Sequence, residues 1–380
     1  MKAGLYTYAW DLEAVGYDTA VGQIAEAGFT AVNLATSYHA GKFILPRSPK
    51  RRVYFAEDGS IYFNPDLVKY GRIRPRVNSM VNAEGDPVGR LTEMTRKHGL
   101  DYVAWTVCLH NSWIGERYPD VTMQTAFGDP QWHSLSPAHP DARAYLLAMV
   151  GDFASRYDVS AIELEAPGYM SFAHGYHHEI FGVDVDAGVD RLLGISFNPV
   201  EVSGATAAGI DAERIRLRVA DTIDAIWNRG EPSSIADALI LDPEIVAYGD
   251  WLHAQAISLA EELAEVIRSA NSAIVVRHFA AMARGEQVNV ADPVLATADE
   301  LLSGYAATPP EIHQRSAAFE SAGKPWWGML RAIAPDFPTA DGLADMVAAW
   351  RGTSAVGIDV YNYGLMTQPN FDALAKALRV

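Results

Sequence analysis

Short runs rich in Val, Ile, Tyr and Ala recur along this chain, and most are followed by an amphipathic stretch that opens with helix-start residues. That alternation constrains the fold more than any other feature, because parallel strands need long crossovers and a helix is the usual one. Eight runs are read, at 3–9, 31–37, 102–108, 161–165, 273–279, 300–306, 326–332 and 356–363. Helical periodicity is read at 18–27, 87–98, 140–156, 243–269, 309–321, 339–350 and 368–378, often with Pro in the first turn, where its missing N–H costs nothing. The fifth helix is expected somewhere in 285–299. No Gly-rich dinucleotide turn follows the first strand. The expected fold class is therefore α/β, a TIM (β/α)8 barrel, rather than an open doubly wound sheet.

Two connections exceed what a barrel needs, 41–86 after strand 2 and 166–242 after strand 4, giving one expected domain over 1–380 with two insertions. Both leave from strand C-terminal ends, the face on which barrel enzymes build their sites. The first insertion holds two β-rich arms around Asp58-Gly59, a hairpin signal. The second is expected to carry a helix at 211–228.

Composition removes several classes of function. The net charge of −17 argues against nucleic acid or an anionic membrane as the main partner, and no apolar run approaches the ~20 residues of a bilayer span. Cys108 is the one cysteine, which excludes an intramolecular disulfide and a four-thiolate zinc site and makes a reducing, cytoplasmic setting the expectation. The first residues lack the apolar stretch of a signal peptide. A small-molecule carbohydrate is the expected partner, with no nucleic acid, no membrane and no cofactor. A homo-oligomer is left open.

The fourth strand ends Ile162-Glu163-Leu164-Glu165-Ala166-Pro167-Gly168. Side chains alternate, so Glu163 and Glu165 share a face about ~6.6 Å apart along the strand. If that face is the barrel interior, Glu165 stands at the mouth, and Glu163 lies deeper and needs a cation such as Arg277 or Arg331. On the eighth strand Asp359, Tyr361 and Tyr363 share a face, and Asp359 is expected across the pocket from Glu165. Two carboxylates flanking a sugar bond are what glycoside hydrolysis requires. The alternative for Asp359 is a structural acid paired with a neighbouring Arg, and Asp336 is the reserve. His39, His110, Asn111 and Trp10 at strand ends suit sugar hydroxyls and ring faces. His39, His110, Glu165 and Asp359 would also make a nitrogen and oxygen ligand set for a divalent metal, although no His-Glu-x-x-His helix supports zinc and no metal residue is assigned. The loop after Glu165 adds Tyr169, His177 and His178, read as a substrate wall or as a satellite core.

Between 42 and 76 stand nine basic residues, Arg52 among them, against three acidic ones, so the segment is +6 and the remainder −23. It suits recognition of an anionic substrate (uronate, sulfate or phosphate) or pairing with acidic surface of the same or a partner chain.

The runs Tyr-Thr-Tyr-Ala-Trp, Tyr-His-Ala-Gly, Pro-Arg-Ser-Pro-Lys-Arg-Arg-Val-Tyr-Phe and Ile-Glu-Leu-Glu-Ala-Pro-Gly-Tyr resemble uncharacterised bacterial TIM-barrel proteins described as hypothetical glycoside hydrolases. The resemblance implies a catalytic carboxylate at the end of the fourth strand, here Glu165. The chain departs from the best-known pattern in lacking Asn-Glu there and any Glu on the seventh strand, where Met329, Leu330 and Arg331 stand. The opening Gly-Leu-Tyr-Thr-Tyr and Ile-Ala-Glu-Ala-Gly-Phe, over two βα units, are similar to xylose-isomerase-like barrels, which implies divalent-metal sugar isomerisation or epimerisation. The leading expectation is a hydrolase cleaving a glycosidic bond with Glu165 and Asp359 as the carboxylate pair. Trp10, His39, Arg52, His110, Asn111, Glu163, Tyr169, His177, His178, Arg277, Arg331 and Tyr361 are the expected substrate contacts. A metal-dependent isomerase, epimerase or lyase and a non-catalytic sugar-binding barrel are the alternatives.

Overall fold

The computed structural model describes residues 1–83, 85–174, 176, 178–280 and 289–380. Eight parallel strands form its centre: β1 (Lys2–Thr7), β2 (Ala31–Tyr38), β3 (Asp101–Val107), β4 (Ala161–Glu165), β5 (Val275–Phe279), β6 (Glu300–Tyr305), β7 (Trp326–Arg331) and β8 (Gly357–Tyr361). Each pairs with its sequence neighbours, and β8 pairs with β1, so the sheet closes. The fold is a (β/α)8 barrel. Inside its N-terminal end, Ala31, Val103 and Ala161 pack together with Val275 as an apolar plug.

Helix boundaries follow local chemistry. Asp86, Thr308 and Thr367 accept backbone N–H groups at the starts of Pro87–His98, Pro309–Glu320 and Gln368–Leu378, with Pro in each first turn. Gly99, at φ 70°, ends the first of these in the left-handed conformation that glycine adopts freely. The helix expected from 339 begins at Leu343, because Gly342 turns at φ 81° just before it. Of the expected fifth helix, one turn is seen at Pro293–Ala296, and residues 285–288 lie outside the described residues.

β1 ends earlier than its sequence suggests. The Tyr8 N–H donates to Asp11 Oδ2 at 3.2 Å, and the chain turns into the helix Ala9–Val15. Trp10 is thereby carried off the strand.

In the 41–86 segment, strands Gly41–Ile44 and Val53–Ala56 pair antiparallel across 45–52, upstream of the turn expected at Asp58-Gly59. Gly59, at φ 57°, instead bends Ser60–Ile61 back along β2. A Cβ there would come within 2.2 Å of Asn111 Oδ1, so only glycine fits. The 166–242 segment folds into the helices Ala187–Leu193, Pro199–Ala207, Ala212–Arg229 and Ser234–Ile240, whose apolar faces build a second core around Leu192, Ile215, Val219, Ile223 and Tyr248. A small hairpin, Thr122–Gln124 with Pro130–Leu135, follows β3 and had no clear signal in the sequence. Among the described residues no helix is long and apolar enough to cross a membrane.

Candidate active site

Above the plug the barrel interior becomes ionic. Glu163 and Asp359 have no solvent exposure. Arg277 joins them: its Nη1 lies 3.1 Å from Glu163 Oε1 and 3.6 Å from Asp359 Oδ2, while its Nε donates to Glu300 Oε2 at 2.8 Å. The guanidinium stacks over the Trp327 ring at 4.2 Å, and Trp327 Nε1 also donates to Glu300, at 2.7 Å. Tyr6 and Asn33 complete the Glu163 carboxyl by donating to it at 2.9 and 3.2 Å. Space for Asp359 comes from Gly4 on the adjacent strand, where a Cβ would fall 2.0 Å from Asp359 Oδ1. Three carboxyls thus face one guanidinium, with Glu163 and Asp359 sealed from solvent and Glu300 partly exposed. Burial first, and then the charge of Asp359, raise the pKa of Glu163, with Arg277 opposing; burial likewise raises Asp359.

Glu165 occupies a different environment one alternation higher. It retains 8% exposure, and its Oε2 accepts a hydrogen bond from Trp105 Nε1. Burial pushes its pKa up to about 7, opposed only by that N–H. Around it stand phenols rather than cations. The Tyr8 hydroxyl lies 2.6 Å from that of Tyr361 and donates to that of Tyr38 at 2.9 Å, and Tyr38, Tyr305 and Tyr361 all feel the Glu165 charge. Burial raises Tyr361 to about 12, so these groups are neutral donors and acceptors near neutral pH. Beside Tyr305, Arg331 grips Asp336 through two hydrogen bonds of 2.8 and 2.9 Å, its guanidinium 5.3 Å over the Tyr305 ring. The residue after Glu165, Ala166, has φ 50°, the one left-handed non-glycine among the described residues. Such a conformation costs on the order of 1–3 kcal/mol. It is held by Leu109 N–H, which donates to the Ala166 carbonyl at 3.1 Å.

The rim is histidine-rich. His39 and His110 stack at 4.1 Å, and His174 meets His110 edge-on at 4.5 Å. Burial lowers His39 to about 4 and His110 to about 2, so both are neutral imidazoles. With Lys42, Phe55 and His178 they line a cavity of about 640 Å³.

Several expected contacts lie elsewhere. Asp359 interacts with Glu163 and Arg277, not across the opening from Glu165, because its register beside Gly4 and Met329 sets it low in the barrel. Trp10 is buried in an aromatic cluster, stacked on Tyr8 at 4.3 Å and on Tyr54 at 4.6 Å, and cannot reach a substrate. Asn111 is the cap of the helix Ser112–Arg117, its side chain accepting from Ile114 N. Tyr169 packs against the second core. Arg277 is locked in the ionic layer, and Arg52 stands exposed at the hairpin tip, its guanidinium on the Pro46 carbonyl. His177 lies outside the described residues. Much of the basic segment is internally paired: Arg72 with Asp120 and Asp141, Lys69 with Asp152, Arg76 with Glu57. Trp105, Tyr38 and Tyr305 had not been singled out. Trp105 was within reach, since it alternates onto the inward face of the third strand.

The four residues considered as metal ligands do not converge. Among the described residues the one group of three acidic or histidine side chains with ligand atoms within 4.8 Å of one another is Asp120, His139 and Asp141. Arg72 already occupies it, donating to both aspartates at 2.6 and 2.8 Å.

No family model and no curated protein matches the chain. Solved structures do. An α-L-fucosidase isoenzyme 2 from Paenibacillus thiaminolyticus superposes with a TM-score of 0.62 at 11% identity, over 100% of this chain and 49% of that one. A β-galactosidase from the haloarchaeon Halorubrum lacusprofundi gives 0.61 at 14%, over 100% and 58%. The PgaB (BpsB) glycoside hydrolase domain from Bordetella bronchiseptica gives 0.60 at 14%, over 100% and 99%. What is shared is the fold. The chain spans about half the length of the first two proteins and nearly all of the third domain.

Proposed function

We propose that this protein hydrolyses a glycosidic bond, with Glu165 as the proton donor. The observation that carries the reading is the state of that carboxyl: at the C-terminal mouth of the barrel, nearly buried, with its pKa raised to about 7 and no cation touching it among the described residues. A carboxyl kept protonated near neutral pH can give its proton to a leaving glycosidic oxygen, a contribution of about 10²–10⁴-fold. The likeness of fold to three barrels described as a fucosidase, a galactosidase and a glycoside hydrolase domain supports the same reading.

Asp359 is not the partner in this proposal, since a sealed carboxyl beside Arg277 cannot meet a sugar. Asp336 takes the role of nucleophile or base: it is held by two hydrogen bonds from Arg331, and the Tyr305 hydroxyl lies within reach of the charge of both Asp336 and Glu165. Tyr305 and Tyr361 are placed to bond sugar hydroxyls between them. A second reading, a barrel that binds a sugar without cleaving it, is favoured by the loss of Asp359 from the mouth.

A panel of aryl glycosides, assayed for phenol release and for ligand-induced shifts in melting temperature, separates the two. Hydrolysis is expected for at least one glycoside, with Glu165→Gln lowering kcat by about 10²-fold or more while the thermal shift persists. Thermal shifts without any release of phenol would support the binding protein. Unchanged turnover in Glu165→Gln would end the assignment.

A further inference from the structure

The antiparallel hairpin formed by Gly41–Ile44 and Val53–Ala56 opposes the rest of the chain in charge. Residues 41–56 carry five basic and no acidic side chains, while the remainder of the chain is −22. Its two faces differ. Phe43 and Tyr54 turn inward onto Tyr8 and Trp10, which pins the hairpin to the barrel. Lys42, Ile44, Val53 and Phe55 turn outward, in register as Lys42 opposite Phe55 and Ile44 opposite Val53, and Phe55 is 70% exposed.

The basic residues of this segment divide by use. Arg47 is consumed internally: it donates to the carbonyls of Tyr363 and Met366 and stacks on the Tyr363 and Phe371 rings. Among the described residues Lys42, Lys50, Arg51 and Arg52 form no salt bridge, although Asp58 and Glu57 stand only a few residues away in sequence. Arg51 lies over the Tyr54 ring and Arg52 on a backbone carbonyl, contacts that orient a cation without neutralising it. Elsewhere in the chain Arg72, Arg96, Arg214, Arg216 and Arg229 are met by carboxylates, while exposed arginines without a carboxylate partner among the described residues, such as Arg74, Arg191 and Arg351, stand singly along the sequence and not in a run. Four unneutralised cations on one hairpin of an acidic protein therefore set a local field opposite to that of the whole.

This patch is continuous with the barrel mouth. Lys42 and Phe55 line the same cavity of about 640 Å³ as His39, His110 and His174, at the ends of β2 and β3. An aromatic face beside a cation, with neutral imidazoles behind, suits a sugar ring that carries a negative group. The ring's C–H face lies on the phenyl, its anion pairs with the ammonium, and its hydroxyls bond the imidazoles.

We infer that the hairpin extends the site and that its ligand is an anionic glycan bearing carboxylate or sulfate groups, with Lys42 and Phe55 holding the sugar nearest the cavity and Lys50, Arg51 and Arg52 the residues beyond it. This deepens the glycosidase reading and rests on it for the orientation of the chain toward Glu165, whereas the binding itself does not require turnover. A basic hairpin with exposed apolar residues also fits an anionic membrane. The glycan is preferred because the patch runs into a concave cavity at the barrel mouth, which a flat bilayer cannot enter.

The test is affinity electrophoresis of the full chain in gels containing polygalacturonate, a sulfated galactan or neutral galactan, with sedimentation on phosphatidylserine/phosphatidylcholine vesicles alongside. Retardation is expected in at least one acidic gel and not in the neutral one, and it should weaken as salt is raised, because pairing at an exposed surface is screened over about 8 Å at physiological ionic strength. The triple variant Lys50→Ser/Arg51→Ser/Arg52→Ser should bind about tenfold more weakly or worse, and Phe55→Ser should reduce binding while melting at the same temperature as the wild type. The two arms identify carboxylate or sulfate as the recognised group. Equal retardation by neutral galactan, undiminished binding of the triple variant, or binding to vesicles but to neither acidic glycan would overturn the inference. Glu165→Gln should still be retarded. If that variant also left hydrolysis unchanged, the catalytic assignment would fail while the binding surface stood.

Discussion

Glu163 and Glu165 lie two residues apart on one strand and face the same interior, yet the barrel treats them in opposite ways. The lower acid is sealed and surrounded by Arg277, Tyr6 and Asn33, so its charge is answered by a cation and two donors. The upper one is left with a single indole N–H and a ring of phenols. An ionic pair under the floor stabilises the fold by satisfying charges that are already buried. Burial raises the pKa of both carboxyls, so what sets the upper one apart is that it keeps some exposure at the mouth and meets no counter-charge among the described residues. The contrast distinguishes a structural acid from a reactive one better than position on the strand does.

The sharpest way to break the lower layer is to remove its cation. Arg277→Leu should cost about 3–5 kcal/mol in chemical denaturation, because it leaves Glu163 and Asp359 buried without a counter-charge. The loss should deepen as pH rises: burial raises the folded pKa of Glu163 and Asp359 above their ordinary values, so their contribution is complete at low pH and lost as they ionise. A loss below about 1 kcal/mol would mean that the layer is not ionic.

Substitution in the upper layer should have the opposite effect on stability, although the pH dependence runs the same way. Folded Glu165 titrates near 7 against an ordinary 4.5, so the stability it contributes is full below about pH 4.5 and declines as pH rises toward 7. Glu165→Gln escapes that decline. Measured by denaturation at pH 8, it should be more stable than wild type by on the order of 3 kcal/mol, with little difference at pH 4.5. A variant that inactivates and stabilises is the signature of a site held under electrostatic strain.

Asp359→Asn sharpens the comparison further. It relieves one of three carboxyls competing for Arg277, and its expected effect is a gain of up to about 1 kcal/mol at neutral pH. A loss above about 2 kcal/mol would show that Asp359 is a required partner of Arg277 instead. Trp105→Phe is the smallest step. It should cost about 1 kcal/mol and move the Glu165 titration upward, since the N–H favours the charged form.

The barrel was legible because β-branched runs alternate with Pro- and Gly-punctuated helices, and observed strand limits fall within two residues of those read from the sequence. The shared face of Glu163 and Glu165 followed from side-chain alternation, and the cost of buried charge called for a cation beside Glu163, Arg277 or Arg331, of which Arg277 takes the place. Height in the barrel was not legible. Alternation gives a face, whereas the depth of Asp359 is set by pairing with Gly4, more than three hundred residues away in sequence. Trp10 was misplaced by a strand end that a single cap at Asp11 moves. The basic segment read as a uniform patch because the acids that neutralise Arg72 and Lys69 lie in distant helices and loops. The unneutralised part, on the hairpin, emerges only once those pairs are removed.

The most direct test of the central claim needs no substrate. Infrared difference titration of wild type against Glu165→Gln isolates the protonated-carboxyl band of that one residue. The band should persist at pH 6 and disappear with a midpoint near 7. A midpoint near the ordinary 4.5 would show an ionised carboxylate at neutral pH and contradict its role as proton donor.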